Sequence, residues 1–369
     1  MPPQTPKHII TFKLPNFLDE WPYECRLHPA FEVVDAESKQ WVNEYQFFGE
    51  KSQKVYDAGR FGLLGSLACP LRSEEFLRVA CMFSHMLFLL DEYNEVADPG
   101  MAGQLYHIVM EVMHHPYKEL DKRNKLGNLV QGCENRFWQQ ALVLTTLDAA
   151  IKSDFVDVFD EYMKSMAEEA HDREAGRVRS VEYYIRFRRV ANGASATAAL
   201  LRFGLTIPEE VLSHPVIESM TLAFVDLVWI INDMHSFAGE FIPTKTVHNI
   251  VAIVMAEHDM DVPSAMEWNN NFAKFRVSEF LSNFKRLPSW GQAIDDEVQL
   301  YLDSMGYLIR AVDAWSFETE RYWGKRGKEI QRTRVVTLDP DMEPRKALLT
   351  KQEVERYIAE ASSSAKVRL

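Results

Sequence analysis

Two apolar segments with helical spacing, each running into a cluster of oxygen-bearing side chains, constrain this chain more than any other feature. In the first, Phe76, Val79, Ala80, Phe83, Leu87 and Leu90 recur at intervals of three and four, which aligns them along one buried stripe of a helix, and Asp91 continues it. The segment ends in Asp91-Glu92-Tyr93-Asn94-Glu95. The second runs from Met220 to Ile231 and ends in Asn232-Asp233-Met234-His235-Ser236-Phe237-Ala238-Gly239-Glu240. If the two helices face each other, their oxygens can hold Mg²⁺ ions above an apolar hollow, which suits a diphosphate on a hydrocarbon tail.

Helical periodicity dominates the remaining chain. It is readable at 103–114, 129–152, 154–170, 181–187, 194–203, 213–238, 242–257, 264–287, 290–322 and 352–361. Asp98-Pro99-Gly100 reads as a turn, so the first acidic motif sits at the C-terminal end of its helix. Pro208, Pro243, Pro263 and Pro288 fall near helix starts, where a missing amide donor does least harm. Strand-like alternation is scarce, and no internal repeat or linker divides the chain. The expected fold is all-α, a single-domain helical bundle over residues 1–323 with a central apolar cavity, followed by a C-terminal extension, 324–369, that serves as a lid or carries a terminal helix.

Composition narrows the function. The chain is 369 residues long and 47% hydrophobic, enough for a large core, and its net charge of −13 argues against a nucleic-acid surface. Cys25, Cys69, Cys81 and Cys133 show no CxxC spacing and are expected to be reduced and buried. The apolar runs 80–90 and 220–231 are interrupted by His85 and Asp226 and are shorter than a membrane span. With no leader-like stretch near Pro2, Pro3, Pro6 and Lys7, the expectation is a cytoplasmic protein without stable membrane insertion, monomeric or homodimeric.

Residues four apart share a helix face, so Asp91 and Glu95 project together while Glu92 is turned roughly 100° away. Two such carboxylates can bind Mg²⁺ jointly with a diphosphate, although the same spacing also occurs on solvated helix faces. Asn232, Ser236 and Glu240 follow i, i+4, i+8 and form one oxygen-bearing strip spanning roughly 80° of arc. An amide, a hydroxyl and a carboxylate in that order make a chelating set rather than a salt-bridge pattern.

These motifs resemble those of the class I terpene synthases, in particular the fungal, basidiomycete-like sesquiterpene synthase type, which pair an aspartate-rich motif with a downstream NDxxSxxxE triad. Ser180-Val181-Glu182-Tyr183-Tyr184-Ile185-Arg186-Phe187-Arg188-Arg189-Val190-Ala191-Asn192-Gly193 is similar to the family's Tyr-rich stretch ending in RRxTxG, and Trp315-Ser316-Phe317-Glu318-Thr319-Glu320-Arg321-Tyr322 to its WSxxxxRY element. Phe12-Lys13-Leu14-Pro15 and Trp21-Pro22 fit as well. The matches run in order from about residue 12 to about residue 323. The resemblance implies that Asp91, with Glu95, binds a metal pair, and that Asn232, Ser236 and Glu240 hold a third ion. It further implies that Arg188 senses the diphosphate while Arg321 and Tyr322 donate to it on closure. The ions would be three Mg²⁺, with Mn²⁺ as a substitute. Glu95 stands where the family has Asp, Gly239 where it often has Lys, and Ala191 and Asn192 where it has Thr and an apolar residue.

The implied reaction ionises a prenyl diphosphate to an allylic cation inside dry walls. Phe88, three residues before Asp91, is expected to face that cavity. Phe61, Trp315 and Trp229 line it or belong to the core, and Asn192 faces the leaving group. The basic run Arg321, Lys325, Arg326, Lys328, Arg332 and Arg334 forms either a lid or a solvated face. No GxSxG, P-loop or dinucleotide fingerprint is present. Farnesyl diphosphate is the expected substrate, with geranyl diphosphate and acyclic alcohol products as the alternative. A chain-elongating transferase would need a second aspartate-rich motif, and a noncatalytic helical binding protein is the rival from another class.

Overall fold

Capping side chains start several of the helices in the computed structural model, which describes residues 9–131, 137–145, 149–244, 248–338 and 347–365. Strand β1 (Ile10–Lys13) is followed by α1 (Phe31–Asn43), α2 (Glu50–Asp57) and α3 (Phe61–Ala68). Helix α4 (Glu74–Val96) begins where the Ser73 hydroxyl accepts the amide of Phe76, and it carries Asp91 and Glu95 in its last turns. The expected turn at Asp98-Pro99-Gly100 is instead the start of α5 (Pro99–His114): the Asp98 carboxylate accepts the amide of Met101, and Pro99 fills the first helical position. The stretches read at 129–152 and 154–170 resolve into α6 (Lys125–Gln131), α7 (Phe137–Leu144) and α8 (Ala149–Ala175).

Beyond them come α9 (Val181–Ala191), α10 (Ala194–Leu200), α11 (Glu209–Leu212) and α12 (Pro215–Thr244). Helices α13 (Ile250–His258), α14 (Val262–Phe284), α15 (Gln292–Glu318) and α16 (Glu320–Trp323) follow, then α17 (Gly327–Thr333), strand β2 (Val335–Leu338) and α18 (Lys351–Ala365). Helix α18 covers the stretch read as helical at 352–361. The single helix expected at 290–322 is broken at Thr319, whose backbone turns extended and whose hydroxyl accepts the amide of Arg321 to cap α16.

Two compact units divide the chain. The first comprises Met1–Arg26, Arg177–Ala194 and Ile207–Lys346. Its centre is α12, around which α9, α13, α14, α15 and α16 pack. Buried Phe224, Leu227, Trp229, Ile230 and Phe237 supply the apolar surface. Strand β1 pairs antiparallel with β2, Ile10 opposite Leu338 and Lys13 opposite Val335. The segment Pro215–Glu240 is long and apolar enough to cross a membrane by length and composition, which corrects the reading of its apolar run as too short. It is a core helix here, because its interrupting carboxylate, Asp226, is fully buried and paired with two arginines of the same unit.

The second unit comprises Leu27–Gly176, Ser195–Thr206 and Ala347–Leu369. Helix α4 packs against α1, α3, α7 and α8, and Phe83, Phe137, Trp138, Phe155 and Phe159 form a contiguous aromatic row beside it. Gly65 lets α3 approach α4 closely, since a Cβ there would lie 2.9 Å from the Cys81 backbone. Helix α18 buries Val354, Tyr357, Ile358 and Ala361, one helical stripe. Cys69 and Cys81 are buried free thiols as expected. Cys25 corrects that expectation: it lies exposed in an irregular stretch, and Cys133 falls outside the described residues.

Candidate active site

The polar strip of α12 is continuous, because the helix runs past Glu240 instead of ending at 238 as expected. Ser236 is buried, while Asn232 and Glu240 are part-exposed. Each brings a hard oxygen, the donor chemistry that Mg²⁺ demands. Among the described residues no three His, Cys, Asp or Glu side chains cluster into a self-sufficient metal cage.

Geometry separates the three arginines of α9. Arg186 forms a surface ion pair with Glu182. Arg189 grips the buried Asp226 with both prongs of its guanidinium, 2.8 Å each, and Asp226 also accepts the Trp229 indole at 2.9 Å and forms an ion pair with Arg276 at 2.6 Å. Arg189 and Trp229 are therefore framework. Arg188 reaches the polar strip: its Nη2 donates to Oδ1 of Asn232 at 2.8 Å and its Nε to Asp233 at 2.9 Å. The short helix α16, redirected by the break at Thr319, places the Tyr322 hydroxyl 2.9 Å from Nδ2 of Asn232. Arg188, Asn232 and Tyr322, drawn from three separate motifs, thus form one hydrogen-bonded chain. Arg321, beside Tyr322, is part-exposed.

Two residues that sequence reasoning missed hold this arrangement. Asp233, 1% exposed, accepts from Arg188, from the Tyr184 hydroxyl at 2.8 Å and from the Ile250 amide at 3.0 Å. Burial and the adjacent Asp233 push the Tyr184 phenol well above its ordinary range, so it stays a donor. Asn249, the cap of α13, donates to the Asp233 carbonyl at 2.7 Å, to Ser236 Oγ at 3.3 Å and to Glu240 at 2.9 Å. Burial, reinforced by the Asp233 charge, pushes the Glu240 carboxyl up to about 7. The only advance signal for Asn249 was its identity as an Asn preceding the apolar run at Ile250.

Behind the strip, His235 accepts from the Trp323 indole at 2.9 Å and lies 3.6 Å from Asp313. Burial keeps its imidazole below the usual range. Asp313 would itself be raised by burial, but His235, Arg334 and Arg310 hold it low. Arg334 also covers the Phe317 ring at 4.7 Å, so the end of the basic run is framework, whereas Lys325, Arg326, Lys328 and Arg332 are solvated.

In the second unit, α4 turns Asp91 and Glu95 to an exposed face and buries Glu92, Tyr93 and Asn94. Phe88 is part-exposed and stacks on Phe61 at 4.3 Å, whereas Phe61 itself is 1% exposed. Trp315, in the first unit, is equally buried and packs edge-on to Tyr322 at 5.7 Å. Asn192 ends α9 and accepts the Ala194 amide at 2.9 Å, which caps the next helix.

A family model described as terpene synthase family 2, C-terminal metal binding, matches residues 82–278. The chain is 36% identical to a Delta(6)-protoilludene synthase of Stereum hirsutum, over 89% of this chain and 88% of that protein. It is 37% identical to a Delta(6)-protoilludene synthase of Armillaria gallica, over 89% and 94% respectively. A linalool/nerolidol synthase structure from Streptomyces clavuligerus shares the fold, with a TM-score of 0.69 and 17% identity across 83% of this chain and 99% of that one. The all-α architecture is that of the class I terpenoid synthases. The chain belongs to the terpene synthase family, whose members are enzymes acting on prenyl diphosphates, and its curated relatives include basidiomycete sesquiterpene synthases.

Proposed function

We propose that this enzyme is a Mg²⁺-dependent sesquiterpene synthase that ionises farnesyl diphosphate and converts the cation to a hydrocarbon or alcohol. The observation that carries the reading is the hydrogen-bonded chain Arg188–Asn232–Tyr322, extended to Ser236 and Glu240 through Asp233 and Asn249. Asn232, Ser236 and Glu240 would hold one Mg²⁺, and Asp91 with Glu95 would hold two more. Mn²⁺ would substitute. When bound, the cations stabilise the negative charge that develops on the leaving diphosphate.

The chain's own groups do the rest. Arg188 orients the diphosphate with a planar fork that stays charged, and Arg321 and Tyr322 donate to its oxygens. The C–O bond breaks with its electron pair leaving on the diphosphate, and an allylic cation remains. Phe88 would exclude water and offer a ring face to positive charge, backed by Phe61, and Trp315 would support Tyr322 as part of the dry wall, while Asn192 would lie at the leaving-group end. The released diphosphate takes the final proton. We read residues 1–323 as the catalytic domain and 324–369 as a C-terminal extension of a cytoplasmic protein, monomeric or homodimeric.

Incubating the purified protein with Mg²⁺ and farnesyl or geranyl diphosphate, followed by gas chromatography and mass spectrometry, tests the substrate. A C15 product from farnesyl diphosphate is expected. Turnover of geranyl diphosphate alone would replace the sesquiterpene assignment. Asp91→Ala and Asn232→Ala should each abolish turnover with helical circular dichroism intact, and full activity in either would remove that residue from the metal set.

A further inference from the structure

The residues between the two exposed carboxylates of α4 are anchored individually. Glu92 is 0% exposed, and its carboxylate accepts the backbone amide of Leu348 at 3.3 Å. Tyr93, also fully buried, lies 5.9 Å from Tyr357 and edge-on to Phe47, and the Tyr357 hydroxyl donates to the Phe47 carbonyl at 2.7 Å. The carbonyl of Asn94 is gripped by Arg173 at 2.6 Å, which also holds the Ala97 carbonyl at 2.9 Å. Just beyond, Asp98 pairs with Lys351 at 2.8 Å. Two of these four anchors, Glu92 and Asp98, bond directly to the segment 347–365, and Tyr93 packs against it.

A helix presents residues i and i+4 on one face, so the three residues between them cover the other. Anchoring all three fixes the rotation of α4 about its axis, and with it the direction of Asp91 and Glu95. Glu92 does this from within the acidic motif, turned away from its neighbours. A buried carboxylate on a backbone amide also ties the two segments together, because each loses a partner if the other moves.

We propose that the C-terminal segment 347–365 is a buttress for the acidic motif, and that Glu92 is a positioning residue that joins the two and not a metal ligand. The inference rests on the assignment of Asp91 to the metal set. A direct ligand needs its charge, whereas a buttress needs an acceptor for the Leu348 amide. Glu92→Gln keeps that acceptor, Glu92→Leu removes it, and Leu348→Pro removes the donor without touching Glu92.

Mn²⁺ binding in the presence of inorganic diphosphate, followed by electron paramagnetic resonance on the full-length protein, separates the cases. Glu92→Leu and Leu348→Pro are expected to weaken Mn²⁺ binding at least tenfold, and Glu92→Gln to stay within threefold of the parent. Parental binding in Leu348→Pro or in Glu92→Leu would overturn the proposal. So would a Glu92→Gln variant as weak as Asp91→Ala. Parental binding in Asp91→Ala would instead strike at the metal assignment, and the buttress would lose its purpose with it.

Discussion

The Arg188 guanidinium donates to the side-chain oxygen of Asn232 at 2.8 Å, so the group assigned to read the diphosphate and a residue assigned to hold a cation share one hydrogen bond. Lysine is a point charge and cannot span Asn232 and Asp233 together. Arg188→Lys is therefore expected to lower kcat about 100-fold, by analogy with the loss of one donor from a charge-stabilising site, with little change in the urea midpoint. Arg189→Ala should do the reverse. It leaves buried Asp226 short of a partner, costing about 3 kcal/mol in urea unfolding. Equal effects of the two variants on stability would contradict the division of roles.

Asn249 touches two of the three oxygens assigned to one cation. Asn249→Ala removes a helix cap and the cross-link between Ser236 and Glu240, and a loss of about 2 kcal/mol of stability is expected. The Mg²⁺ concentration giving half-maximal turnover should rise several-fold as the two ligands lose their spacing. A variant that melts lower but keeps the parental Mg²⁺ dependence would reduce Asn249 to a cap.

The assignment of Glu240 to a cation predicts binding that is sensitive to pH. Its folded pKa is raised to about 7 from an ordinary 4.5, so the folded state binds more protons than the unfolded state between those values. Without metal, the parent should lose stability as pH rises from 4.5 to 7 and lose no more from this source above that. The amount is about 2 kcal/mol after allowance for solvent screening. Glu240→Gln should remove this dependence and melt above the metal-free parent at pH 8. Mg²⁺ affinity of the parent should strengthen as pH rises through 7, because the cation competes with a proton for the same oxygen. Identical melting curves for parent and variant at pH 8 would contradict the burial argument.

Phe61 and Phe88 stack on each other but differ in exposure, and their substitutions should differ accordingly. Phe61→Ala empties a closed site and is expected to cost about 3–5 kcal/mol. Phe88→Ala should leave the fold more stable than Phe61→Ala while shifting the product ratio seen by gas chromatography. An unchanged product profile would assign Phe88 to packing alone.

Helical periodicity made α4, α5, α9 and α12 legible, and the oxygen-bearing residues at the ends of α4 and α12 stood out by their type and fixed spacing. The helices before residue 70 were not. In α2 only Tyr56 is buried, so there is no stripe to read, and α3 contains two glycines that weaken its helical signal. The β1–β2 pair also escaped, since four-residue strands show too little alternation to stand out from loops. Within the site, spacing selected Arg188 only through resemblance. Its distinction from Arg189 depends on Asp226, which lies 37 residues away and could not have been paired with it from periodicity. The partners of Asn249 could not be read for the same reason: they are set by how α13 returns against α12.

The pairing of Ile10–Lys13 with Val335–Leu338 also orders events during synthesis. The first strand waits for a partner that begins at Val335, so the unit built around α12 cannot close until that residue has been made. Until then Phe12 and its neighbours lack their final cover, and a nascent chain stalled before residue 335 should engage chaperones that a released chain does not.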